Sequence, residues 1–348
     1  MPYTPVNKST ANFNTKLYAG NGAAIGSGGN AQTGVGFQPD WVWIKDRSTT
    51  NHHNLFDAVR GVTKGVQSSQ NIAEYTNTET VTAFGTDGFT VGNAGGVNTN
   101  SNNYVSWNWK AGNSAGSSNT DGSVTSTVSA NTTAGFSICK FSFPGSGNFT
   151  VGHGLGVAPR VIIMKGLGTA NWQVYHEGLG NTFNTQLNYT NAASSAANWW
   201  GSTSPTSTVF TVGADLVESG QDGIAYCFAE KTGYSRFGTY SGNGNNNGAF
   251  IYTGFKPAWI LIKQTSGSNL QSWWMIDAKR DPFNVCDENL RANANSAASQ
   301  SYDMLDILSN GFKLRWSDTA INGSGTNYIY LAFGQSIVGS NNVPATAR

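Results

Sequence analysis

A chain of 348 residues with formal net charge +1, 11% charged and 12% aromatic residues has the apolar mass for packed cores and little ionic surface. Near-neutrality argues against capture of nucleic acid, which needs a clustered basic field. The abundance of Trp, Tyr, Phe, Ile and Val excludes a disordered chain, and the exterior reads as Ser, Thr, Asn and Gly.

In chain order, residues 1–12 form a polar arm. Met1 to Asn21 holds no apolar signal-peptide core, and no later stretch reaches membrane-spanning length. The expectation is a chain made in a cytoplasm, with no membrane insertion. Residues 13–112 present a series of landmarks. Tyr18 precedes a turn at Gly20 and Gly22, and Gly36-Phe37-Gln38-Pro39-Asp40-Trp41-Val42-Trp43-Ile44-Lys45 follows. Then come Phe89-Thr90-Val91-Gly92 and the closing Tyr104-Val105-Ser106-Trp107-Asn108-Trp109-Lys110. A Ser/Gly/Thr-rich tract, 113–134, reads as a linker.

The series returns over 135–233: Phe143 with Gly145 and Gly147, Gly156-Val157-Ala158-Pro159-Arg160-Val161-Ile162-Ile163-Met164-Lys165, Phe210-Thr211-Val212-Gly213, and Ile224-Ala225-Tyr226-Cys227-Phe228-Ala229-Glu230. It returns again over 234–337: Tyr240 with Gly242 and Gly244, Gly254-Phe255-Lys256-Pro257-Ala258-Trp259-Ile260-Leu261-Ile262-Lys263, Phe312-Lys313-Leu314-Arg315, and Tyr328-Ile329-Tyr330-Leu331-Ala332-Phe333-Gly334. The tail, 338–348, is polar. Repetition at this scale decides architecture before local reading does.

Each repeat reads as all-β. Short apolar runs bounded by Gly, Asn, Asp and Ser recur closely, and no window carries a long 3.6-residue period. Trp41–Ile44, Val161–Met164 and Trp259–Ile262 are continuous apolar stretches that suit strands buried on both sides. Val105, Trp107 and Trp109 share one face, aligned here with Ala225, Cys227 and Ala229 and with Ile329, Leu331 and Phe333. Pro39, Pro159 and Pro257 stand where a missing N–H removes no ladder bond. The expected fold is three homologous repeats, each a small antiparallel β-sandwich or jelly-roll-like unit.

No catalytic residue is assigned. Asp57 in Phe56-Asp57-Ala58-Val59-Arg60 and Asp277 in Ile276-Asp277-Ala278-Lys279-Arg280 recur at one place in separate repeats, with His176-Glu177 at that place in the middle copy. A glycosidase needs two carboxylates facing one cleft, so these read as turn-stabilising ion pairs. His52, His53, His153 and His176 lack partners at metal-ligand spacing, and no cofactor fingerprint is present, so neither metal nor cofactor is expected. Three cysteines make no disulfide framework. Cys139 and Cys227 read as small buried residues, Cys227 in the slot of Trp107 and Leu331.

The remaining candidates are Trp199-Trp200 and Trp273-Trp274. Adjacent strand residues point to opposite faces, so one of each pair could lie on the surface, where an indole can stack on a sugar ring. The competing reading packs both between repeats or subunits.

Gly-Phe-x-Pro-x-Trp-Val-x-Ile-Lys, the Phe56-to-Gly61 segment and Asp87-Gly88-Phe89-Thr90-Val91-Gly92 resemble a family of virion proteins of tailed phages, especially of marine bacteria. Gly152-His153-Gly154-Leu155-Gly156-Val157-Ala158-Pro159 resembles its middle unit, and Asn310-Gly311-Phe312-Lys313 its last. The resemblance spans Tyr18 to Phe333 and implies a non-enzymatic virion component, a tail fibre or adhesin touching a host-surface glycan or protein. Partners would be other virion proteins and further copies of the chain, a homotrimer being favoured. The alternatives are a capsid or tail decoration protein that locks neighbouring subunits and, third, a secreted glycan-active protein.

Overall fold

Short apolar runs separated by glycine turns form antiparallel strands throughout the computed structural model, which describes residues 4–216, 220–267 and 270–336. The first unit holds β1 (Phe13–Ala19), β2 (Asn30–Thr33), β3 (Trp41–Asp46), β4 (Asn54–Asp57), β5 (Lys64–Gly65), β6 (Tyr75–Thr76), β7 (Val81–Gly85), β8 (Gly88–Val91) and β9 (Asn103–Trp109). The second holds β10 (Ser117–Asn119), β11 (Ser126–Asn131), β12 (Phe136–Ser142), β13 (Phe149–Gly152), β14 (Val161–Gly166), β15 (Trp172–His176), β16 (Phe183–Gln186), β17 (Ser194–Ser195), β18 (Val209–Val212) and β19 (Asp222–Phe228). The third holds β20 (Ser235–Ser241), β21 (Phe250–Tyr252), β22 (Phe255–Gln264), β23 (Trp274–Asp277), β24 (Leu290–Arg291), β25 (Leu305–Leu308), β26 (Gly311–Leu314) and β27 (Asn327–Ser336).

One strand order occurs in all three units: β1-β9-β3-β4, β12-β19-β14-β15 and β20-β27-β22-β23. A small sheet lies over each: β2-β8-β7, β13-β18 and β21-β26-β25. The facing pairs define three outer cores, for example Val42, Ile44 and Phe56 against Phe89 and Val91 in the first unit. The opposite faces of the three main sheets meet in one shared core. There Trp41 stacks on Tyr226 with ring centroids 4.2 Å apart, Trp109 meets Trp259 at 5.6 Å, and Phe228 meets Phe333 at 5.7 Å. Each unit therefore packs against both others. Strands with a core on either side must be apolar at every position, which accounts for the unbroken runs.

Four details differ from the sequence reading. Trp43 pairs with Trp107, Ile163 with Tyr226, and Leu261 with Leu331. The residue matching Trp107 and Leu331 is thus Tyr226, while Cys227 faces the outer core with Ala225 and Ala229. A one-residue slip exchanges the two faces of a strand, and apolarity on both faces hid it. The tract 113–134 is no mere linker: it forms β10 and β11, which extend the middle main sheet. The arm is anchored, with Thr4 and Val6 buried and Ser9 Oγ 2.5 Å from Gln335 Oε1. Pro257 lies inside β22 at a register shift, where Pro39 and Pro159 precede their strands. The tail, 338–348, lies outside the described residues.

Polar contacts close the three units into a ring. His53, Trp172 and Trp273 occupy one position, and each ring N–H meets a backbone carbonyl of the preceding unit. His53 Nε2 lies 3.0 Å from Arg291 O, Trp172 Nε1 2.8 Å from Gln67 O, and Trp273 Nε1 2.9 Å from Gln186 O. Four residues on, the contacts run in the other direction. Asp57 Oδ2 accepts from the Tyr226 hydroxyl at 2.8 Å, His176 Nε2 faces Tyr330 O at 3.4 Å, and Asp277 Oδ2 accepts from Trp107 Nε1 at 3.0 Å.

Geometry fixes the state of two histidines. Trp43 Nε1 donates to His53 Nδ1 at 2.8 Å, and Gly178 N donates to His176 Nδ1 at 3.0 Å. An indole or amide N–H only donates, so both Nδ1 atoms are unprotonated and both rings are neutral. Burial pushes the His53 imidazole well below its ordinary value, with repulsion from Lys45 adding to it. Burial likewise brings His176 down to about 4.

Trp43, Ile163 and Leu261 are buried at matching places in the shared core, so truncating any of them to Ala should lower unfolding free energy by about 2–5 kcal/mol in denaturant titrations. A shift near zero would remove them from the core. Trp107→Phe should cost about 1–3 kcal/mol because it strips a donor from a buried carboxylate. Trp109→Phe should cost less, only what the smaller ring leaves empty, since the Trp109 indole N–H has no partner among the described residues and Phe228 and Phe333 stand at its place. Equal effects would dissolve that distinction. Finally, an unfolded histidine takes a proton near pH 6.5 and the folded rings take theirs lower. Stability is therefore full above pH 6.5 and declines as pH falls toward the folded values, by roughly 3 kcal/mol for His176 alone. Between pH 7 and pH 5 unfolding should show about 2 kcal/mol of this loss for His176, and His53→Gln with His176→Asn should reduce it; an unchanged slope would exclude these histidines as its source.

Candidate functional site

The carboxylates singled out by their recurrence are fully engaged. Asp57 Oδ1 accepts from Val59 N and Arg60 N at 3.1 and 2.8 Å, and Oδ2 takes Arg60 Nε at 2.5 Å beside Tyr226. Asp277 repeats this with Lys279 N, Arg280 N and Arg280 Nε at 3.0, 2.9 and 2.5 Å, beside Trp107. Both pairs are completely buried, so they are interior turn braces and not the surface pairs of modest value. Charge from Asp57 raises the Arg60 guanidinium against the effect of its burial, and burial, followed by the same carboxylate, raises the Tyr226 hydroxyl well above its usual value. In the middle copy His176 replaces the acid as acceptor for the turn amide of Gly178, and Glu177 pairs with Arg160.

The four candidate tryptophans separate. Trp273 and Trp274 are both buried. They do point to opposite faces, but β23 and its approach have a core on each side: Trp273 enters the shared core and Trp274 the outer core of the third unit. Arg291 lies over the Trp274 ring at 4.9 Å. Trp200 is buried edge-on to Tyr175, with centroids 5.6 Å apart. Trp199 alone is half-buried, and it lines a cleft of about 310 Å³.

This cleft lies at the seam of the first two units. Trp199 is set by a turn in which its N–H donates to Ala196 O at 3.0 Å and its carbonyl accepts from Gly213 N at 2.8 Å. A Cβ on Gly213 would stand 1.4 Å from Asn198 O, so only glycine allows this closure. Facing it are Asn171, Gln173 and Gln186 of the middle main sheet and its loops, Asp215, and Asn71 from the loop between β5 and β6.

Lys165, which closes its apolar run, holds this wall. Its Nζ donates to Ala170 O at 2.7 Å, Gly168 O at 3.0 Å and Asn71 O at 3.4 Å, and Ala170 N donates to Asn71 O at 2.9 Å. The other terminal lysines do the same work. Lys263 donates to Thr190 O at 2.8 Å and Gln271 O at 2.6 Å, and Lys45 to Thr49 O at 3.2 Å. Burial brings Lys263 down to about 7 and Lys45 to about 8. An indole face, four amides and one carboxylate suit a ligand rich in hydroxyl groups and without net charge.

The remaining histidines and cysteines are framework. His153 Nδ1 accepts from Leu155 N at 3.2 Å and Nε2 faces Thr206 O at 3.2 Å. His52 contacts Ser69 and Gln70 side chains at 2.9 and 2.7 Å. Cys139, Cys227 and Cys286 are buried thiols. Exposed aromatics that the sequence reading passed over include Phe283, Tyr302, stacked on Trp316 at 4.2 Å, and the pair Phe250 and Tyr252 on β21. A two-residue spacing on a short strand between Asn/Gly tracts was the only signal for that pair.

No curated protein and no solved structure matches the chain. Residues 8–336, spanning all three units with their shared core, match a family described as Domain of unknown function (DUF7483), and the chain belongs to that family.

Proposed function

We propose that this protein is a non-enzymatic structural component of a phage virion, of the tail-fibre or adhesin kind, which touches neutral carbohydrate on the host surface through the Trp199 cleft. The observation that carries the reading is the make-up of that cleft: a half-buried indole opposite Asn171, Gln173 and Gln186, on strands held by the shared core. Amides exchange hydrogen bonds with sugar hydroxyls and an indole covers the apolar face of a pyranose ring. The sequence resemblance to virion proteins supports the setting. One such cleft binds weakly, and assembly of several copies, three in a fibre, converts weak sites into firm attachment by avidity.

The prediction is that binding to host cells or their purified surface polysaccharide survives high salt, because no ionic contact drives it. Trp199→Ala should weaken binding about tenfold, the equivalent of about 1.4 kcal/mol, with little change in melting temperature. Binding unaffected by Trp199→Ala would remove the cleft from the interaction. A protein found on the capsid with no affinity for host cells would instead be a decoration protein, and turnover of the polysaccharide would reject both readings.

A further inference from the structure

The three sandwiches treat the gap between main sheet and small sheet in three different ways. In the middle unit a strand fills it. β11 pairs with β12 from Ser126 opposite Phe141 to Asn131 opposite Phe136. The residues leading into β11 reach the small sheet: Val124 N donates to Thr150 O at 3.3 Å, Ser123 N to Thr150 Oγ1 at 2.8 Å, and Ser126 Oγ to Gly152 O at 2.9 Å. In the first unit side chains bridge it. Asn14 Nδ2 donates to Val35 O at 2.9 Å and Asn30 Nδ2 to Ala19 O at 3.1 Å.

In the third unit the same gap, between β20 and β21, is an open groove of about 540 Å³. Gly242 N donates to Thr326 O, and this phase of the β20–β27 ladder turns the N–H and C=O of Phe237, Thr239 and Ser241 outward. Phe237 N is taken up by Glu230 Oε2 at 3.2 Å. Thr239 stands at the place of Lys140, which in the middle unit lies opposite Thr127 of β11. Phe250 and Tyr252 stand at the places of Thr150 and Gly152, the residues that hold the covering segment there, and are 46% and 57% exposed.

We propose that this groove accepts an extended, uncharged strand from a partner polypeptide, added to β20 as β11 is added to β12. The rim decides the charge. Arg160 pairs with Glu177 and Glu230, and Arg236 pairs with Glu230, so two cations and two anions already balance. A charged side chain entering there would find no unpaired opposite charge among the described residues that line the groove. The segment that fills the matching gap, Gly122 to Asn131, is itself uncharged and rich in Ser, Thr and Val. Main-chain bonds to an open edge supply affinity, and neighbouring side chains select the strand. Here Phe250 and Tyr252 would cover it, as exposed aromatics on an edge otherwise liable to indiscriminate pairing.

The test uses the intact protein and a fluorescent peptide with the sequence of residues 122–131, followed by anisotropy. Saturable binding is expected. Thr239→Pro should weaken it at least tenfold, because it deletes an outward N–H and leaves the ladder to β27 complete. Tyr252→Asp should do the same from the other wall without touching any core, and melting temperatures serve as the folding control. No saturable binding, or equal binding by wild type and Tyr252→Asp, would overturn the proposal. Self-association that Tyr252→Asp abolishes would overturn the partner assignment and place a second copy of this chain in the groove. These outcomes are independent of Trp199, so they leave the carbohydrate reading to its own experiment.

Discussion

Burial of each main sheet on both faces is the constraint from which most of this structure follows. An ordinary antiparallel sheet shows one face to water and alternates along each strand. Here one face of every main sheet belongs to a shared core and the other to a private one. Along the central runs Trp41–Ile44, Val161–Met164 and Trp259–Ile262 no polar residue could be relieved by turning outward. Polar groups are therefore driven to strand ends, where they must be satisfied locally. Lys45, Lys165 and Lys263 cap the runs with carbonyl contacts, and Asp57 and Asp277 are saturated by the turns they begin.

The ring of seam contacts shows how function can be kept while chemistry changes. Asp57, His176 and Asp277 present different groups at one place, yet each meets the next unit and each accepts a turn amide. His53, Trp172 and Trp273 likewise share one task, a ring N–H directed at a carbonyl. What is held constant is the direction of a donor or acceptor, not the residue type. The histidine versions carry a liability that the tryptophan and aspartate versions lack. A second proton on His53 would set two donors, its own Nδ1–H and the Trp43 indole, against each other.

The all-β class and the paired strands were legible because turn residues and apolar runs alternate at short range. The facing of the middle closing strand was not. With Ile224, Tyr226 and Phe228 on one side and Ala225, Cys227 and Ala229 on the other, both faces are apolar, and periodicity cannot tell them apart. The same property defeated the surface reading of Trp273 and Trp274, since alternation exposes a residue only where one face is solvated. Tract 113–134 misled for the opposite reason: its Ser/Thr strands lie on a sheet edge and need few apolar side chains, so composition resembles a linker. Trp199 was legible as a candidate but its cleft was not, because the facing amides come from Asn71, Asn171, Gln173 and Gln186, which only the fold brings together.

A scaffold so thoroughly buried leaves recognition to what lies between or beyond its sheets. The strands cannot vary without disturbing two cores at once, whereas the gaps at their margins can. The three sandwich gaps illustrate that freedom: side chains bridge one, a strand fills another, and the third stays open beside exposed Phe250 and Tyr252. The Trp199 cleft is a margin of the same kind, placed at a seam where Lys165 ties Asn71 of the first unit and Ala170 of the second to the end of a core strand. The strongest repeated signals in the chain, the Gly-to-Lys runs and the Asp–Arg turns, describe the frame, and the departures from them supply the two surfaces proposed to meet other molecules.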